Sequence, residues 1–87
     1  MKVLMRPIET IVWFNENGVI HPIKFRVTDR SGSRIVIRVD KVMERKEEKL
    51  AGNKMLVFTC RSAIQGVERH YEIKYEIRSG KWFLYKI

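Results

Sequence analysis

An all-β fold is what this sequence predicts: residues 1–87 form a single β domain, an antiparallel meander of about six strands curled into a small barrel. Three observations lead there. Apolar and polar residues alternate with a period of two, the glycines stand alone at turn-like sites, and separate turns fix registers that bring one apolar face inward.

The first strand is expected around residues 8–14, joined to the second by Asn17-Gly18, a dipeptide suited to the left-handed backbone of a type I′ turn. That turn pairs Val12 with Ile23 and Ile8 with Val27. It sets Pro22 opposite Trp13, where the missing N–H suggests a sheet edge or a bulge.

The second strand, Ile23-Lys24-Phe25-Arg26-Val27-Thr28, shows the alternation most clearly. Arg30-Ser31-Gly32 reads as a three-residue loop, which places Val27 opposite Ile35, Phe25 opposite Ile37 and Ile23 opposite Val39. Residues 43–53 break the pattern; their mixed charges fit a hairpin extension or a helical turn ended by Gly52. If they cover one side, a half-open sheet replaces the closed barrel.

Gln65-Gly66 as a two-residue turn pairs Cys60 with Tyr71, Phe58 with Ile73 and Leu56 with Tyr75. The string Arg78-Ser79-Gly80 repeats the earlier loop, and the same rule pairs Tyr75 with Phe83, Ile73 with Tyr85 and Glu72 with Lys86. Trp82 and Leu84 then face outward beside Val57, an apolar cluster that calls for cover by a partner surface or by residues 43–53. A one-residue slip of that turn would instead make Trp82 core.

The 18 Lys and Arg residues outnumber the 10 Asp and Glu, for a net charge of +8, which draws such a chain toward polyanions such as nucleic acid or anionic lipid. Cys60 is the only cysteine, which excludes an intrachain disulfide and a cysteine-cluster metal site and suggests a reducing, cytoplasmic setting. No apolar run has the length of a signal peptide or a membrane span. No cofactor, metal or membrane partner is expected.

Enzyme chemistry finds no constellation to use. His70 falls on the outward face opposite Arg61, His21 sits beside Pro22 near a turn, and Cys60 faces inward between Phe58 and Ser62, where a packing role outweighs a reactive thiol. No glycine-rich phosphate loop is present.

The derived registers do bring Trp13, Lys24, Arg26 and Arg38 to one outward face, with Arg34 continuing it toward the loop. Lys24 lies opposite Arg38, a like-charge pair that destabilises the sheet unless an anion or solvent relieves it, while Glu9 opposite Arg26 is a partial counterweight. Cations interleaved with an aromatic suit a single strand of DNA or RNA, because cations follow phosphates and a ring offers any base a stacking face. The same cations also serve to keep exposed strands from pairing edge to edge. The leading expectation is therefore a non-enzymatic module contacting nucleic acid through Trp13, Lys24, Arg26, Arg34 and Arg38. The alternative is a protein-interaction or homo-oligomerising barrel using Val57, Trp82 and Leu84.

The order of motifs from Pro7-Ile8-Glu9 through Pro22-Ile23-Lys24-Phe25-Arg26 and Tyr71-Glu72-Ile73 to Gly80-Lys81-Trp82-Phe83-Leu84 resembles a group of small bacterial β-rich proteins of unknown function. Some of these sit beside genes for error-prone DNA polymerases. The resemblance implies a nucleic-acid context and supplies no functional residue.

Overall fold

The computed structural model describes residues 1–87 and contains strands without a helix. In chain order they are β1 (Val3–Phe14), β2 (Ile20–Thr28), β3 (Arg34–Arg38), β4 (Lys41–Leu50), β5 (Asn53–Ile64), β6 (Val67–Glu76) and β7 (Lys81–Lys86). All seven join one antiparallel sheet in the order β3-β2-β1-β7-β6-β5-β4. Residues 43–53 are thus the hairpin of the two alternatives, closed by Ala51 and Gly52 at φ of 51° and 82°.

The curl of the sheet follows from one connection. β3 and β4 are its two edges, yet only Val39 and Asp40 lie between them. Laid flat, seven strands about 4.8 Å apart would separate the edges by ~30 Å, whereas this link reaches only about 10 Å. The sheet therefore bends into a half-barrel whose edges approach without pairing.

Side chains hold that seam. Asp40 donates its backbone N–H to Ser62 Oγ at 3.4 Å, and its Oδ2 accepts the Ala63 N–H at 2.8 Å. Arg45 reaches from β4 to donate to the Ile20 carbonyl and lies 3.4 Å from His21 Nδ1. Its guanidinium also sits 5.4 Å from the centre of the Phe58 ring.

Inside the curl, Phe25, Phe58, Cys60, Tyr71, Ile73, Trp82 and Leu84 belong to one buried cluster. The Phe25 and Tyr71 rings meet edge to face at 5.5 Å, and Trp82 stacks obliquely on Tyr75 at 4.8 Å and on Phe58 at 5.5 Å. Tyr71 Oη and Ser62 Oγ share a hydrogen bond of 2.5 Å, which satisfies two polar atoms that burial would otherwise penalise.

Two pairings agree with expectation. β2 and β3 match Val27 with Ile35 and Phe25 with Ile37, and β5 and β6 match Cys60 with Tyr71, Phe58 with Ile73 and Leu56 with Tyr75. The β1–β2 hairpin differs at its tip. Asn15 Oδ1 accepts the N–H groups of Asn17 and Val19 at 2.9 and 3.0 Å, so the loop is Glu16-Asn17-Gly18 rather than two residues. The one-residue shift sets Trp13 opposite His21 and Val12 opposite Pro22, and a bulge at Ile23 then restores the expected Glu9–Arg26 and Ile11–Lys24 pairs.

The β6–β7 pairing corrects a larger expectation. Glu76 faces Lys81 across the four-residue loop Ile77-Arg78-Ser79-Gly80, so Tyr75 pairs with Trp82 and Ile73 with Leu84. Trp82 and Leu84 turn into the core, at 8% and 3% exposure. The expected outward apolar cluster with Val57 does not exist. A bulge that skips Tyr85 returns Glu72 to Lys86.

Burial pushes the Cys60 thiol up to about 12, with Arg45 opposing and Glu72 reinforcing the shift more weakly. The unfolded thiol, near 9.0, ionises first, so the folded state binds more protons above that pH. The thiol's contribution to stability is therefore fully present below pH 9 and should be lost as pH rises toward 12. Equilibrium urea unfolding across that interval checks this, against a Cys60→Ala control in which the thiol's share of the slope is gone. Burial also raises the Tyr71 hydroxyl, which adds to the slope with the same sign.

Candidate functional site

The alternation of β1 sends Glu9, Ile11 and Trp13 outward while Ile8, Thr10 and Val12 turn toward the core. Cross-strand registers continue these positions into rows: Glu9, Arg26 and Val36 form one, and Ile11, Lys24 and Arg38 the next. Trp13 and His21 form a third, and Thr28 pairs with Arg34 at the opposite end. All five residues expected at a nucleic-acid surface, Trp13, Lys24, Arg26, Arg34 and Arg38, thus occupy the outer face of β1–β3.

Their electrostatic states differ. Arg26 binds Glu9 Oε2 at 2.5 Å, and Arg34 lies 3.8 Å from the other Glu9 oxygen, so one carboxylate serves two guanidiniums. Lys24 and Arg38 face each other and take part in no ion pair. A like-charge pair across neighbouring strands is unfavourable in the free protein, and a bound anion would relieve it.

Apolar surface interleaves with these charges. Ile11, Trp13 and Val36 are 56%, 59% and 60% exposed. The Trp13 and His21 ring centres are 5.0 Å apart with planes tilted by 31°, leaving the indole open to solvent. Neither Ile11 nor His21 was expected in this surface. His21 enters it through the three-residue loop at Asn15, whose acceptor side chain was the available signal.

No protein-family model, curated protein or solved structure matches this chain. The chain's own residues carry the reading that follows.

The other proposed surface is absent. Val57, Trp82 and Leu84 are all buried, and Val57, although on the face opposite Phe58, lies beside Lys74. That lysine is itself buried, pairs with Glu48 at 2.8 Å and rests 3.6 Å over the Tyr85 ring, so this flank is roofed by the protein's own side chains. His70 is exposed near Glu68 at 3.8 Å. No three His, Cys, Asp or Glu side chains form a metal-binding group, and no helix is long and apolar enough to cross a membrane.

Proposed function

We propose that this protein is a binding module, not an enzyme, that holds single-stranded nucleic acid on the outer face of β1–β3. The observation that carries the reading is the unneutralised Lys24–Arg38 pair one row from the exposed indole of Trp13. Phosphate relieves the cation pair, and an unpaired base finds a stacking surface beside it. Arg26 and Arg34 are partly spent on Glu9 and contribute less.

Titration of labelled single-stranded DNA and RNA at several salt concentrations tests this. Affinity should fall with a log–log salt slope of about −2 to −3, the value for three or four phosphate contacts on a single strand. Trp13→Ala should weaken binding by about 1–3 kcal/mol if a base stacks on the indole. Lys24→Glu gives the sharpest result because its two effects have opposite sign. It should weaken binding yet raise fold stability by about 0.2–1 kcal/mol, since a repulsive pair with Arg38 becomes an attractive one. No binding at micromolar protein and low salt discards the reading.

A further inference from the structure

The seam extends the same face. Between the bulged start of β2 and the start of β4 lies a hollow of about 430 Å³, and its lining includes Trp13, His21, Ile23, Asp40, Lys41 and Arg45. It adjoins the row of Lys24 and Arg38, since Trp13 follows Ile11 on the same face of β1. Ring and aliphatic groups make up much of its wall. Arg45 approaches His21 Nδ1 at 3.4 Å, so the ring that lies against Trp13 also meets a guanidinium.

Asp40 gives the hollow a chemical preference. Its Oδ2 is engaged by the Ala63 N–H at 2.8 Å, while its Oδ1 makes no hydrogen bond or ion pair within the protein. Beside Lys41 and Arg45, which suit a phosphate, this carboxylate accepts an N–H donor. A base edge bearing an exocyclic amino group supplies that donor, as cytosine N4 does, whereas uracil presents an acceptor at the same position.

We infer that the hollow takes one unpaired base of the strand held by Lys24 and Arg38, and that Asp40 selects cytosine over uracil there. This rests on the single-strand reading and sharpens it. The base must leave any duplex to enter, so paired strands are excluded from the hollow while their phosphates remain free to meet the cations.

Fluorescence anisotropy with end-labelled oligodeoxycytidylate and oligodeoxyuridylate of about ten nucleotides, near neutral pH, tests it. The two differ where Asp40 would read them and carry the same phosphates. The cytosine strand should bind about tenfold more tightly, the effect of one hydrogen bond to a charged group. Asp40→Asn still offers an oxygen to the Ala63 N–H and should bring the ratio close to one. Ile23→Trp, on a bulged residue 36% exposed, should fill the hollow and also abolish the preference. Equal affinities in the wild type, or a preference that survives both substitutions, overturn the hollow's role and leave single-strand binding standing. Failure to bind either strand overturns both.

Discussion

Leu84→Glu should abolish folding at neutral pH, or leave a protein that folds only when the new carboxyl is protonated. Leu84 is 3% exposed and opposes Ile73 in the middle of the buried cluster. The cation opposite it, Arg6 on β1, donates to the Thr28 carbonyl at 2.7 Å, so the ionised form would be desolvated with little compensation unless that guanidinium left its partner. A domain of this size has about 4–13 kcal/mol of stability, and an unpaired buried charge removes most of it. Circular dichroism and urea unfolding at neutral and acid pH read the outcome. A variant as stable as the wild type would mean that Leu84 faces outward and that the β6–β7 register is shifted by one.

Phe58→Ala should lower the unfolding free energy by about 3–5 kcal/mol, the range for deleting a buried aromatic whose cavity cannot collapse. Phe58 is 2% exposed, contacts the Trp82 ring and lies beneath the Arg45 guanidinium that bridges the seam. Its removal therefore weakens the core and one of the ties between sheet edges. Urea midpoints with an unchanged m-value would give the figure directly. A loss below about 1 kcal/mol would show that the site repacks or that Phe58 is not central to the core.

The sequence carried most of the sheet because its turns are short and chemically distinct. Gln65-Gly66 behaves as a two-residue turn with φ of 51° and 78°, and every residue pair of β5 and β6 follows from it. The two Arg-Ser-Gly strings show where such reading stops. Before the first stands Asp29, whose Oδ1 accepts the N–H groups of Ser31 and Ser33 at 2.9 Å and closes a three-residue loop. The Ser31 hydroxyl and these N–H groups hold that carboxyl below its usual range. Before the second stands Ile77, which has no acceptor, so the loop is anchored one residue earlier. There Glu76 takes the Ser79 hydroxyl at 2.5 Å and the Asn53 amide at 2.8 Å. One side chain outside the repeated string thus decides which way Trp82 faces.

β4 was legible only as one of two alternatives because it is an edge strand with solvent on most of both faces. Such a strand needs no apolar period and displays none. The basic face was readable since its rows depend mainly on the loop at Arg30-Ser31-Gly32, which formed as expected. The hollow beside it was not, because it arises from the β2 bulge and from an approach of β2 to β4 that no hairpin rule describes.

The sheet order also divides the chain into two locally wired halves. β1, β2 and β3 are sequential neighbours, as are β4, β5, β6 and β7, and only the β1–β7 ladder connects the two sets by backbone pairing. That ladder joins Val3 to Lys86 and Ile8 to Trp82, nearly the full chain apart, with Lys2 and Ile87 exchanging bonds of 2.7 and 3.1 Å beyond it. Loop-closure entropy makes these the most expensive pairings to nucleate, so each half can gather its own hairpins before the joint is made. The proposed binding face lies wholly within the first half, while its hollow borrows Lys41 and Arg45 from the second. A strand could thus be gripped by one half alone, but a base can be read only after the two have met.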